Sequence, residues 1–291
     1  MPTVRLSDDT PLEVTVTGRG PTLLLPENPA EATPETAERL RPWGTDPQLG
    51  HTLMTGLSDR FTVAAFDYVG HLMAHPRPDD LTPETVTADM LAVADAVGAE
   101  RFAYYGYSWL GLSGLQLAIR TDRLWALATG GFPPLDGPYR EMLAVTTATH
   151  RMAVENARAP ETTTRASRTT AEDSGTGEDY DWDAAEATMS PEQSGQFTTL
   201  YRALADFDDR TVRYPPDLPR LCLVGESDRI DYGPRWGGVT VDLAGPVLRH
   251  RDTLTATGWR VAILPGLDHM KAMQPTHVLP VLRPFLTDAA P

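Results

Sequence analysis

In the stretch Tyr104-Tyr105-Gly106-Tyr107-Ser108-Trp109-Leu110-Gly111, a serine stands where residues suited to a strand give way to residues suited to a helix. An alcohol is a poor nucleophile at its own pKa. It needs a base within hydrogen-bond reach, and that base needs a third group to fix its tautomer. Two later stretches offer those types after apolar runs: Gly225-Glu226-Ser227-Asp228 and Gly266-Leu267-Asp268-His269. The chemistry such a set performs is acyl transfer through a covalent serine intermediate. Each residue also has a plainer reading. Ser108 is placed to cap a helix, as serines at such junctions often do. Asp228 could be a turn residue with Asp231 as the acid, and His269 a surface histidine beside a turn-capping Asp268.

The elements that must bring these residues together are legible as alternating periods. Residues 3–6 and 12–16 read as a hairpin around the turn signal Asp8-Asp9-Thr10-Pro11. Further strands are expected at 22–25, 61–66, 101–105, 124–128, 221–224 and 260–264. Between them the period changes. Val86, Met90, Val93 and Val97 fall on one face of a helix over 83–97, with Thr82 as N-cap and Pro83 in the first turn. Helices are also expected over 109–119 and about 246–256. Strands alternating with helices predict a mostly parallel sheet covered on both faces. Right-handed crossovers then set the strands' carboxyl ends along one edge, where ligands bind. In that arrangement residues 108, 228 and 269 share a rim.

The interval 132–218 breaks the alternation. It holds two helix candidates, around 139–157 and 191–206. The stretch between them, near 158–183, is rich in Thr, Ser, Asp and Glu and poor in aliphatics. Such a stretch buries too little to offset its ordering entropy and is expected to be mobile. No internal repeat is evident. The chain therefore reads as one core, 1–131 with 219–291, carrying an insertion.

Taken in order, Gly106-Tyr107-Ser108-Trp109, Gly225-Glu226-Ser227-Asp228 and Gly266-Leu267-Asp268-His269 resemble the α/β-hydrolase superfamily, in particular its serine esterases and thioesterases. The resemblance implies an α/β fold with a mostly parallel sheet, helices on both faces and a helical cap inserted after the sixth strand. It implies Ser108 as nucleophile, His269 as general base and Asp228 as its partner. It also implies an oxyanion hole made by the N–H groups of Trp109 and Asn28, with Glu27 as second choice to Asn28. The chain departs from the family in two places. Leu110 stands where a glycine is usual, which predicts a helix pushed away from the sheet. Pro26-Glu27 replace the usual His-Gly, and a carboxylate at 27 would oppose a developing oxyanion unless it turned to solvent. Asp67 and Gly70 resemble the family's loop after the fourth strand, which weighs against a metal site at His71 and His75. Halide-binding relatives carry an aspartate where this chain has Ser108, so dehalogenation is not expected.

Composition narrows the partners. A formal net charge of −15 repels phosphate backbones and anionic membranes, which argues against nucleic acid and membrane surfaces. The first residues, MPTVRLSDDT, have neither a basic nor an apolar leader character, and a cytoplasmic location is expected. The lone Cys222 lies in an apolar run and reads as a buried strand residue. His51, His150, His250 and His277 fall in or beside expected helices, where exposed polar roles are the default. The expected function is hydrolysis of a small-molecule carboxylic ester or thioester, with no cofactor and no metal. The alternatives are acyl transfer or amide cleavage by the same residues, and a catalytically silent fold used for ligand binding.

Overall fold

The computed structural model describes residues 2–40, 45–158 and 188–291. A hairpin of β1 (Thr3–Arg5) and β2 (Pro11–Glu13) opens the chain, with Val4 opposite Leu12. The central sheet follows. It comprises β3 (Thr15–Gly18), β4 (Thr22–Leu25), β5 (Thr62–Ala65), β6 (Phe102–Tyr107), β7 (Leu124–Gly130), β8 (Arg220–Gly225) and β11 (Trp259–Leu264), in the order β11-β8-β7-β6-β4-β5-β3. Only β3 runs antiparallel to its neighbour in this sheet. A second hairpin, β9 (Arg229–Asp231) with β10 (Thr240–Asp242), leaves the rim after β8. The single strand expected over 12–16 is divided. The chain changes sheet at the buried Val14, whose N–H donates to the Pro2 carbonyl, so β2 serves the first hairpin and β3 the edge of the main sheet.

Both faces of the sheet are covered, which is why β6, β7 and β8 are buried at every residue rather than at alternate ones. Alternate residues still face opposite ways. On one face Leu24, Tyr104, Leu127 and Cys222 pack with helices α4 (Pro83–Ala96) and α5 (Trp109–Ala118), through Val86, Met90, Val93, Leu112 and Leu115. On the other, Leu23, Leu25, Tyr105, Ala128 and Leu221 meet α2 (Leu49–Leu57) and α11 (Pro275–Ala289), through Leu53, Leu57, Val278, Leu282 and Phe285. The start of α4 is fixed as its sequence predicts, by a reciprocal cap between Thr82 and Thr85 with Pro83 in the first turn. The remaining short helices are α1 (Pro34–Leu40), α3 (Tyr68–Ala74), α8 (Ala244–Arg249), α9 (Arg251–Ala256) and α10 (His269–Ala272). Residues 246–256, expected as one helix, form two. His250 at the junction leaves the helical conformation, and its Nε2 lies 2.8 Å from the Asp136 carboxylate.

Between β7 and β8 run α6 (Tyr139–Arg158) and α7 (Pro191–Ala203), packed side by side. The Thr198 hydroxyl donates to the Thr146 carbonyl, and His150 pairs with Ser194. The segment expected to be mobile lies, beyond Arg158, outside the described residues. Among the described residues no helix is long and apolar enough to cross a membrane.

The contact between α5 and the sheet decides how the Ser108 corner is held. Leu110 does not push the helix away: its side chain is buried in the core on the α4 side. The surface turned to the sheet belongs to Gly111, where an added Cβ would lie 2.7 Å from the Gly130 carbonyl oxygen. Gly106 makes room from the other side, since a Cβ there would fall 2.4 Å from the Leu110 carbonyl oxygen. That carbonyl accepts a hydrogen bond from the Tyr104 hydroxyl at 2.8 Å. The small residue is thus displaced by one position, and the close approach is kept. Gly111→Ala is therefore expected to destabilise the chain by about 1–3 kcal/mol, because the obstacle is backbone that cannot rotate away; urea unfolding of the two proteins checks it.

Candidate functional site

Ser108 sits at the carboxyl end of β6 and directly precedes α5, with φ 57° and ψ −128°. A non-glycine residue in this region is strained by about 1–3 kcal/mol and persists only where its surroundings impose it. Here they do: the Ser108 N–H donates to the Gly130 carbonyl at 2.8 Å, and its carbonyl accepts from Leu112 N–H at 3.0 Å. Ser108 precedes a helix, yet its side chain makes no capping bond. The hydroxyl is left for something else.

Asp228 lies three residues past the end of β8 and has no exposure to water. Its N–H donates to the Gly225 carbonyl, and its own carbonyl accepts from Leu243 and Ala244 at the far side of the β9–β10 hairpin. His269 opens α10, just past β11. Its Nδ1 lies 2.9 and 3.0 Å from the two carboxylate oxygens of Asp228. A carboxylate only accepts, so a neutral imidazole facing it carries its proton on Nδ1 and leaves the lone pair on Nε2. Tyr107 supports the ring from below: the centroids are 5.1 Å apart, and the Tyr107 hydroxyl donates to the His269 carbonyl at 3.1 Å. Burial and the nearby Asp228 carboxylate push the Tyr107 phenol upward, so it stays a donor. The imidazole edge also abuts Gly131, where an added Cβ would stand 2.9 Å from Cε1. Gly131 follows the residue that anchors Ser108, which places the serine and the ring on one stretch of rim. Among the described residues no hydrogen bond joins the Ser108 hydroxyl to the His269 ring.

Asp231, the alternative acid, is remote in role: it is exposed in β9 and bonded to Thr240 and Arg229. Asp268 does cap α10, accepting from the Lys271 N–H, and this capping sets where the imidazole of the next residue begins the helix. Cys222 is fully buried in β8 and its thiol is pushed up to about 12 by burial, which leaves it inert. His71 is buried, with Nε2 2.9 Å from the Thr10 hydroxyl and its ring stacked on His75. Among the described residues no group of three or more His, Cys, Asp or Glu side chains is arranged to hold a metal ion.

The other two expected residues also reach this rim. Trp109 is the first residue of α5, and Asn28 lies in the loop after β4. Among the described residues neither main-chain N–H has an acceptor. The Asn28 side chain holds the loop in shape, its Oδ1 accepting from Ala30 N–H and its Nδ2 donating to Asp67 at 3.1 Å. Asp67 in turn caps α3 through the Gly70 N–H.

No family model and no curated protein matches this chain. Solved structures do match it over nearly its whole length. An esterase from Thermogutta terrifontis is 16% identical with a TM-score of 0.56, covering 99% of this chain and 98% of its own. The bottromycin epimerase BotH, solved with bottromycin A2, is 19% identical at 0.56, over 99% and 98%. An enol-lactonase from Burkholderia xenovorans is 18% identical at 0.57, over 98% and 100%. The chain has the α/β-hydrolase fold. That an epimerase shares it with an esterase and a lactonase means the fold alone does not name the reaction, and the side chains at the rim must.

In the loop after β4 of this α/β-hydrolase fold, Pro26-Glu27 has a defined electrostatic outcome. Glu27 keeps some contact with solvent from a deep position, and its N–H closes a tight turn onto the Leu25 carbonyl. Desolvation, and next the Asp67 carboxylate, push its carboxyl up to about 7. The charge feared from the sequence is therefore partly quenched near neutrality. The supporting parts played by Tyr107 and Gly131 are not marked by the motif spacing. The Gly130-Gly131 pair at the end of an apolar run was the available signal.

Glu27 also gives a pH test with a definite sign. Between pH 4.5 and about 7 the folded chain retains a proton that an ordinary, unfolded glutamate has released, so this group makes stability fall as pH rises through that window. Glu27→Gln is expected to match the parent at pH 4 and to be about 1–3 kcal/mol more stable at pH 8; urea midpoints at the two pH values measure it.

Proposed function

We propose that the chain is a serine hydrolase that cleaves a small carboxylic ester or thioester. The observation that supports this best is the His269 Nδ1 bonded to the unexposed Asp228 carboxylate, on the rim where Ser108 is held at φ 57°. In the proposed cycle the Ser108 Oγ attacks the substrate carbonyl carbon and its proton passes to His269 Nε2. Asp228 stabilises the imidazolium that results. The negative charge on the former carbonyl oxygen is met by the N–H groups of Trp109 and Asn28. The tetrahedral species collapses as His269 returns the proton to the departing alkoxide or thiolate, leaving an acyl-serine. Water, deprotonated by the same imidazole, then attacks the acyl carbon; the bond to Ser108 Oγ breaks, His269 returns its proton to that oxygen, and the acid leaves. Below about pH 7 a neutral Glu27 leaves the oxyanion unopposed. In this reading α6 and α7 form the cap over the site.

A second reading, ligand binding without turnover, draws on the missing hydrogen bond between the Ser108 hydroxyl and the His269 ring. One labelling experiment separates the two. A fluorophosphonate is expected to modify Ser108 in the folded protein, Ser108→Ala to abolish both label and esterase activity, and Asp228→Asn to lower kcat by about 10⁴-fold through the wrong imidazole tautomer. Unlabelled folded protein together with unchanged activity of Ser108→Ala would remove the hydrolase reading.

A further inference from the structure

Trp109 follows Ser108 directly and is only partly buried, so its indole flanks the corner that carries the serine. The indole is held from two sides. The Tyr68 ring of α3 stands 6.0 Å away at 31°, and the Phe197 ring of α7 stands 5.4 Å away, edge to face at 76°. Both distances lie in the range where aromatic pairs attract.

Each holder is fixed by buried polar groups. The Tyr68 hydroxyl donates to Asp89 at 2.6 Å, and Asp89 accepts from the Arg77 guanidinium at 2.7 Å, with both charged residues buried. Gln196, beside Phe197 and with no exposure, accepts from the Arg77 main-chain N–H through Oε1 at 3.1 Å. Through Nε2 it donates to the Leu72 carbonyl, also at 3.1 Å. Gln193 donates to the Met73 carbonyl at 2.7 Å, and the Thr199 hydroxyl to the Pro78 carbonyl. Arg77 thus joins both holders, one through its guanidinium and the other through its backbone. Lifting α7 would strip several buried polar groups of their partners, each at a cost of about 1–3 kcal/mol. The helix is built as a wall and not as a lid.

Resting on the reading of Ser108 as the acyl-accepting nucleophile, we propose that Phe197, set in place by Gln196, limits the site to short acyl chains by closing the space beside Trp109. Phe197 is then a specificity-determining residue and Gln196 a positioning residue.

Hydrolysis of p-nitrophenyl esters from acetate to octanoate tests this. Phe197→Ala is expected to raise the ratio of kcat/KM for octanoate over acetate by about tenfold or more, chiefly through a lower KM for octanoate. Phe197→Leu, a milder change that keeps an apolar contact, moves the ratio the same way by less and serves if the alanine variant does not fold. Gln196→Met, similar in shape but unable to bond, shifts the ratio in that direction too, whereas Gln196→Glu, which keeps an acceptor for the Arg77 N–H, shifts it less. An active wild type whose ratio stays within twofold in folded Phe197 variants overturns this proposal alone. A wild type that neither hydrolyses any ester nor takes the fluorophosphonate overturns the serine-hydrolase reading and this proposal with it.

Discussion

A carboxyl group wholly removed from water is tolerated only where its oxygens find hydrogen-bonding partners, and at Asp228 both face one imidazole nitrogen. Much of the rim can be understood as the means of keeping that meeting in register. The main chain of Asp228 is tied at both ends, to Gly225 behind it and to Leu243 and Ala244 across the β9–β10 hairpin. His269 is tied through Tyr107, which contributes a ring beneath the imidazole and a hydroxyl to its carbonyl. Tyr107 is also the residue before Ser108. The side chain that supports the histidine and the backbone that presents the serine are therefore consecutive residues of β6, and a displacement of the strand end would move both together.

The serine corner depends on a different economy, that of space. A helix that leaves a strand without a connecting loop must pass close to the neighbouring strand. The approach here is made at Gly106 from the strand and at Gly111 from the helix, with Gly130 of β7 as the opposing surface. Leu110, free of that duty, fills the core between α5 and α4 instead. The arrangement shows that a motif written as residue spacing stands for a distance between backbones, which a shift of one position in the helix can preserve.

What the sequence made legible follows from this. The strand-helix alternation, the Thr82 cap and the pairing of Asp228 with His269 could be read because each leaves a local mark: a change of period, a capping residue, or a polar residue just past an apolar run. The division of residues 12–16 between two sheets left no such mark, since Val14 is apolar in either arrangement and only its bond to Pro2 shows where the chain turns. The break at His250 is likewise tertiary, set by Asp136 more than a hundred residues away. Leu110 was misread because steric demand was assigned to a position rather than to a facing surface. Glu27 reads in the sequence as a charge, and only its surroundings, burial first and the Asp67 carboxylate second, show how far that charge is suppressed.

The attachment of α7 to the body of the molecule is made by neutral amides and hydroxyls meeting main-chain groups around Leu72, Met73, Arg77 and Pro78. Dissolved ions weaken attractions between exposed charges over distances of about 8–10 Å, yet they have almost no purchase on bonds of this kind. A chain with a net charge of −15 repels itself most in dilute buffer, and added electrolyte relaxes that repulsion while leaving the amide seam intact. The seam under α7 is in this sense insulated from the ionic character of its surroundings, and it is expected to hold as well in brine as in dilute solution.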